Sequence, residues 1–387
     1  MTAPAMPDAI YLDFNATTPV APEVLEALLP WLREQHGNPS STHEYGRRAA
    51  QAVTAARAQV ASLVGAQPHE IVFTGCATES NNLSLLGVAA AVPAQRRRHL
   101  VVSAIEHPAV MAPAMALRQQ GWQVTVVPVD AFGRLRIDDV ARALRPDTAL
   151  VSVMHSNNEV GTLQPVAEIA ELTRARDIVL HTDAAQSAAK VPLRVDELGV
   201  DLLTLAGHKF HAPKGVGALY VRRGTPLRRI LHGGEQEHGM RPGTENVAAI
   251  VAIGTAAALA ASRLPQITAH LRTMRDRLHA RLDAGVPGLL LNGHPEHRLP
   301  NTLHVSFPGI SGRDLLAQTA DTVAASVGSA CHSEREAVSG VLAAMGFDSA
   351  RAAGAVRLSV GRTTTTDEVD RAAAALVSAW EQLRPKR

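Results

Sequence analysis

Six polar residues stand where short apolar runs give out: His107, Asn158, Asp183, Gln186, His208 and Lys209. Each alone reads as a capping group or a satisfied side chain, but strand ends in a parallel sheet share one rim, and ligands bind there. Asp183 and Lys209 lie 26 residues apart, the span of one strand–helix–strand step. A carboxylate and a lysine so placed suit pyridoxal 5'-phosphate. The carboxylate keeps the pyridine nitrogen protonated, so that the ring takes up electrons, and the lysine amine forms a Schiff base with the aldehyde. His107 is then placed to stack on the ring. The segment 75–82, G-C-A-T-E-S-N-N, follows a strand and opens a helix. Its small residues present backbone N–H groups at the positive end of a helix dipole, and Thr78 adds a hydroxyl, which fits a phosphate. The plainer reading is that Thr78 and Glu79 only start the helix.

Cys331 lies in S-V-G-S-A-C-H-S, among small and polar residues that describe a loop, and His332 favours its nucleophilic thiolate. A lone cysteine is otherwise most often a buried filler, which is the reading for Cys76. Arg357, in A-V-R-L-S-V-G-R, carries the fork that binds a substrate carboxylate, with a surface salt bridge as the alternative. The Gly-rich stretch 232–246 reads as an ordered loop that completes a neighbouring site, with Thr244 as a hydroxyl donor. A rival reading of the rim is a metal centre on His107, His155, His181, Asp183, His208 or His211. No H-x-x-x-H pair or H-E-x-x-H string occurs, and Lys209 sets a cation where a metal gains nothing. No metal is expected.

The elements that must position these groups alternate. Strand-like runs at 71–74, 99–103, 124–127, 150–154, 179–183, 202–205 and 217–221 are mostly apolar throughout, as in strands covered on both faces. Helical spacing marks 23–35, 42–64, 79–91, 109–121 and 166–176. The reading is an α/β fold with a mainly parallel, doubly wound sheet of seven strands and helices on both faces. After Arg263 the pattern changes to a helix at 267–284, strands at 290–292 and 301–306, a turn at Pro308–Gly309 and a last helix at 366–383. The expected division is a large domain, 15–262, and a smaller α+β domain made of 1–14 and 263–387, which carries the cysteine loop near 324–340.

The 387 residues are 46% hydrophobic and 19% charged, which excludes general disorder. A net charge of +2 and 3% aromatic residues give no footing for nucleic acid; the runs Arg96–Arg98, Arg222–Arg223 and Arg228–Arg229 read as solvated faces. The longest uncharged stretch, 247–262, is interrupted by Gly254 and falls short of the ~20 apolar residues that cross a bilayer. The N-terminus shows no secretory signal. Two cysteines make no disulfide framework, so a cytoplasmic protein with reduced thiols is expected.

Taken together, Y-L-D-F-N-A-T-T-P (11–19), G-N-P-S-S (37–41), A-T-E-S-N-N (77–82), E-H (106–107), N-N-E-V-G (157–161), H-T-D-A-A-Q (181–186), G-H-K (207–209), R-P-G-T-E-N (241–246), G-S-A-C (328–331) and R-L-S-V-G-R (357–362) resemble the cysteine desulfurase and selenocysteine lyase family. The match runs in order over nearly the whole chain. It implies a fold-type-I pyridoxal-phosphate enzyme of the class V aminotransferase group, acting as a homodimer. By these motifs Lys209 resembles the Schiff-base lysine, Asp183 the pyridinium partner and His107 the stacking acid–base residue. Gln186 resembles the partner of the cofactor's phenolic oxygen, and Asn158 a neighbour of cofactor and substrate. Ala77, Thr78 and His208 resemble the phosphate cradle, which Thr244 of the other subunit joins. Arg357 resembles the carboxylate clamp and Cys331 the persulfide-forming nucleophile. Two positions depart from the family: Ala206 stands where Ser often precedes G-H-K, and Cys76 where Gly usually precedes A-T-E. The lost hydroxyl should weaken cofactor binding by about 0.5–1.5 kcal/mol.

The implied reaction converts L-cysteine to L-alanine, with sulfur held on Cys331 and passed to an acceptor protein. Selenocysteine lyase, acting on L-selenocysteine, is the nearest alternative. A non-catalytic sulfur-relay or scaffold protein is a second, and an epimerase or aminotransferase of the same fold a third.

Overall fold

The computed structural model describes residues 8–93, 98–328 and 339–385. Cys331, with Arg96 and Arg97, lies outside the described residues. The chain enters through β1 (Ile10–Tyr11), α1 (Pro22–Arg33) and α2 (Glu44–Val64). Strand and helix then alternate: β2 (Ile71–Thr74), α3 (Ala77–Ala91), β3 (His99–Ser103), α4 (Pro108–Gln119), β4 (Gln123–Val127), α5 (Ile137–Ala143), β5 (Thr148–Ser152), α6 (Val166–Arg174), β6 (Val179–Asp183), α7 (Val195–Leu198), β7 (Leu202–Ala206) and β8 (Gly217–Val221). A long α8 (Val247–Gly285) leads to β9 (Leu290–Asn292), β10 (Thr302–Ser306), α9 (Gly312–Gln318), β11 (Val323–Ala324), α10 (Gly340–Ala344), α11 (Ser349–Ala353), β12 (Ala355–Ser359) and α12 (Thr366–Leu383).

Strands β2 to β8 form one seven-stranded sheet in the order β2-β8-β7-β6-β5-β3-β4. Only β8 runs antiparallel, to β2 and to β7; the others are parallel to their neighbours. β5, β6 and β7 are buried at every residue, as expected of strands with helices on both faces. Their carboxyl ends therefore open on one side, beside those of β3 and the β2–α3 turn. A second, antiparallel sheet, β12-β10-β9, and the parallel pair β1-β11 lie outside it.

Two of the four apolar cores among the described residues share one helix. One gathers α1, α2, the large sheet and the first half of α8, with Val60, Val151, Leu180 and Ile253 fully buried. The other gathers Ile10 and Leu12 with Leu278, Leu303, Leu358 and Leu376. One helix serves both, since Ala252 and Ala256 of α8 lie in the first and Leu271 and Leu282 in the second. A helix starting at 267 is therefore only half of the element. It runs unbroken through Pro265, where the carbonyl left without its donor belongs to exposed Ala261 and faces water. α8 is long and apolar enough to cross a membrane by length and composition, and its buried apolar residues pack against α1 and α2 in the first half and against α12 in the second. Gly254 is needed there, because a Cβ would meet Ala56 at 2.6 Å.

β5 begins two residues earlier than its apolar run suggests. Thr148 is polar yet fully buried, because its hydroxyl pairs with His99 Nδ1 at 2.8 Å on the neighbouring strand.

Candidate active site

Asp183 ends β6 as a buried carboxylate. Its Oδ2 accepts from Asn81 Nδ2 at 2.7 Å and its Oδ1 from the Ala185 N–H at 2.9 Å. Two donors fix the group without neutralising it, so an acceptor-only face is held at the carboxyl edge of the sheet. β7 ends one strand away at Ala206, and a 3-10 turn, Gly207–Lys209, follows. Gly207 is there because a Cβ would meet Val216 at 2.9 Å. The turn brings Lys209 Nζ onto the carbonyls of Asn15 (2.5 Å) and Ala16 (2.9 Å).

The opposite wall is the start of α3. No side chain caps this helix, so its first amides, at Ala77 and Thr78, have no intrahelical acceptor. Glu79 ties the turn together: its Oε2 accepts from the Gly75 N–H at 2.7 Å and its Oε1 from Arg241 Nε at 3.0 Å. Cys76 is exposed and lines the cleft. It is not the packed filler its type suggests.

His107 caps α4, its Nδ1 accepting from the Ala109 N–H at 3.1 Å. The proton of the neutral ring therefore sits on Nε2. Burial lowers the His107 pKa; Asp183 opposes this shift and Lys209 adds to it. His208 is pushed down to about 4, by burial first and then by Lys209, Lys214 and Lys190. Both rings are neutral at pH 7.

Arg357, on β12, is buried rather than a surface ion-pair partner. Its Nη2 meets Asp13 Oδ1 at 2.7 Å, its Nη1 donates to the Asn158 carbonyl at 3.0 Å, and its Nε is buried without a partner. Gln186 Nε2 donates to the Asn15 carbonyl at 2.9 Å. Ala77, Thr78, His107, Asn158, Asp183, Gln186, His208, Lys209 and Arg357 line one cleft with a cavity volume of about 250 Å³. Thr244 is exposed and stands outside this cleft, on the loop that Arg241 ties to Glu79.

The arrangement suits pyridoxal phosphate on its donor set: an anion-binding helix start, a buried carboxylate, a lysine, a neutral histidine and a guanidinium with an unspent N–H. The other histidines of the sheet are occupied. His155 Nδ1 pairs with Ser187 Oγ at 2.7 Å, and His181 with Ser152 Oγ at 2.8 Å and Thr204 Oγ1 at 3.1 Å. Among the described residues no three His, Cys, Asp or Glu side chains are grouped to hold a metal ion.

Sequence reasoning missed four groups here. Asn81 holds Asp183, and its only signal is a place in A-T-E-S-N-N. Asp13 holds Arg357 from 344 residues away. Asn15 is a hub: its side chain accepts from Asn301 Nδ2 (2.9 Å) and donates to Thr302 Oγ1 (2.8 Å) and the Asn158 carbonyl (3.2 Å). Glu106, beside His107, is raised to about 8 by burial above all; hydrogen bonds from Ser103 and the Met154 N–H oppose this, and Asp183 adds to it.

Comparison with known proteins matches the same chain segments. The aminotransferase class-V family matches residues 10–372. A cysteine desulfurase IscS of Dictyoglomus turgidum is 42% identical over 376 residues, covering 97% of this chain and 95% of that protein. Another, of Methanosarcina thermophila, is 43% identical over 377 residues, covering 97% and 93%. Among solved structures, a NifS-like protein superposes with a TM-score of 0.91 at 38% identity, covering 97% of this chain and 100% of that one. SspA, solved in complex with cysteine, does so with 0.80 at 34% identity, covering 92% and 100%.

Proposed function

The chain belongs to the aminotransferase class-V family and is a cysteine desulfurase; from that premise we propose how the cleft works. Its cofactor is pyridoxal 5'-phosphate, which supplies an electron sink when bound to Lys209. The observation that carries the reading is the joint lining of one cleft by Lys209, Asp183, His107 and Arg357.

Each residue then has one task. The α3 start, with Ala77, Thr78 and His208, holds the phosphate at the positive end of the helix dipole. Asp183, fixed by hydrogen bonds from Asn81 Nδ2 and the Ala185 N–H, would be the partner of the cofactor's ring nitrogen. His107, its Nδ1 accepting from the Ala109 N–H, would stack on the cofactor ring and exchange protons with the substrate. Gln186 would give its second amide hydrogen to the cofactor's phenolic oxygen. Lys209 would hold the cofactor as a Schiff base and, when free, move the substrate α-proton. Arg357 turns its unpartnered Nε to the substrate carboxylate, with Asn158 alongside. The Cys331 thiolate takes the sulfur as a persulfide: a new S–S bond forms as the substrate C–S bond breaks, and the electron pair of that bond stays with the three-carbon fragment. That fragment is protonated and leaves as L-alanine. The persulfide passes to a thiol of an acceptor protein. A homodimer completes the phosphate site with Thr244 of the second subunit.

Incubation with L-cysteine and pyridoxal phosphate tests the reading. One alanine is expected per sulfur delivered to a thiol acceptor, and borohydride reduction should leave the cofactor on the peptide that contains Lys209. An adduct elsewhere, or no alanine, overturns it.

Arg357 gives a more local check. Truncation to Ala removes a buried cation and leaves Asp13 unpaired, and breaking a buried pair from one side costs about 3–5 kcal/mol. Part of that falls on folding. The KM for L-cysteine should rise on the order of 10²-fold, with a much smaller change in kcat. Steady-state assays with cysteine and with cysteamine, which lacks the carboxylate, separate the two; equal losses for both would show that Arg357 does not hold the carboxylate.

A further inference from the structure

Lys190 is a buried cation that the mechanism above does not use. Its ammonium donates to Gln186 Oε1 at 3.2 Å and to Asn15 Oδ1 at 3.4 Å. Gln186 stands four residues earlier on the turn that follows β6, and its Nε2 donates to the Asn15 carbonyl, the same oxygen that accepts from Lys209 Nζ. The amide of Gln186 is thus gripped at both ends. Turned over, it would set its NH2 group against an ammonium and its oxygen against a carbonyl, two repulsive pairs in place of two hydrogen bonds.

We propose that Lys190 is a positioning residue whose ammonium locks the Gln186 amide, keeping the second Nε2 hydrogen for the phenolic oxygen of the cofactor in the cleft that Gln186 lines. The inference rests on the cofactor assignment made above. A donor on the phenolic oxygen weakens the internal hydrogen bond that would hold a proton on the nitrogen joining Lys209 to the cofactor. The nearby positive charge disfavours that proton as well. Both effects have one sign: Lys190 lowers the proton affinity of the linking nitrogen, so that this nitrogen can take the proton an incoming substrate ammonium must lose before its amine adds.

Lys209 and Arg357 face Lys190, the latter paired with Asp13, and burial together with these two cations lowers its own pKa to about 7, so its charge acts fully only below neutral pH and the midpoints are compared there. Arg362 and His211 share with it a small cavity behind Lys209. His211, like His208, is held near 4, burial being the largest cause, so neither histidine titrates near neutral pH.

The test is a pH titration of the Lys209-bound chromophore in the pyridoxal-phosphate-loaded protein without substrate. Lys190→Met should fold, because it removes a buried cation that has amide oxygens for partners. Its midpoint should rise by about one pH unit, whereas Lys190→Arg should stay within about 0.3 unit of the parent. In a Gln186→Leu background the same Lys190→Met change should move the midpoint less than half as far. Turnover of cysteine in Lys190→Met should fall about fivefold in kcat with KM within about twofold. An unchanged midpoint in Lys190→Met overturns the proposal, and so does an equal shift with and without Gln186, which would reduce Lys190 to a bystander charge. If the Met variant does not fold, Lys190→Gln, neutral and of similar length, is read by the same titration with the same outcomes. A parent protein that forms no pH-dependent chromophore would overturn the cofactor assignment instead.

Discussion

Lys209→Ala is expected to lower alanine formation from L-cysteine by at least about 10⁴-fold, the upper range for loss of a positioned acid–base group. The amine has two tasks, covalent attachment and proton transfer, and no other described amine is in a position to take them over. Lys190, the other lysine beside the cleft, is held by the side chains of Gln186 and Asn15. Cofactor should still bind non-covalently, because the α3 start, Asp183 and His107 are untouched. The variant should therefore be coloured yet resist borohydride fixation, and added small primary amines should restore part of the activity. Mass spectrometry of the reduced protein reads the first result and an alanine assay the second. Retained fixation at another lysine would overturn the assignment.

The rest of the site divides by what a linear sequence records. Strand ends were legible because an apolar run closed by polar residues marks both a strand and its mouth, so His107, Asp183, Gln186 and Lys209 came out on one rim. The seven strands were legible for the same reason. The limit of that signal shows at β5, where an apolar run says nothing of which end carries a buried, paired Thr148. It shows again at α8, where the expected helix starts at 267 and the observed one runs from Val247 through Pro265, its freed carbonyl on exposed Ala261. Side-chain pairs were the illegible part. Asn15 meets Gln186, Asn301 and Thr302 across separations of 171, 286 and 287 residues, and no periodicity encodes such pairs. Cys76 failed for another reason. Its type favours burial, but the α3 start has to stay open, and position outweighed type.

The sharpest division of labour should appear in Cys331→Ser. Cys331 lies outside the described residues, but the segment that contains it leaves and rejoins them at one place. Gly328 and Ser339 both sit on buried Glu159: a Cβ on Gly328 would meet Glu159 Oε2 at 2.9 Å, and Ser339 Oγ donates to the same oxygen at 2.5 Å. Glu159 follows Asn158, which lines the cleft, and Ser326 pairs through its backbone with Arg357. Both ends of the segment are therefore tied to the substrate side of the site, with Cys331 three positions beyond Gly328 in the sequence. Gly328 has a φ of +146°, which favours glycine at that exit. None of the groups proposed to bind the cofactor or to move the α-proton changes in the serine variant. Addition of L-cysteine should therefore still produce the absorbance change of substrate replacing Lys209, at close to the parent rate. Sulfur removal should not follow, because a serine hydroxyl stays protonated at neutral pH, whereas a thiol with a pKa near ~8.5 is partly ionised and inherently more nucleophilic. Alanine formation is expected to fall by about 10³-fold or more, and alkylation of the quenched reaction should trap no persulfide. Retained turnover with cysteine would place the sulfur-accepting nucleophile elsewhere. Exposed Cys76 at the cleft rim would then be the first residue to examine.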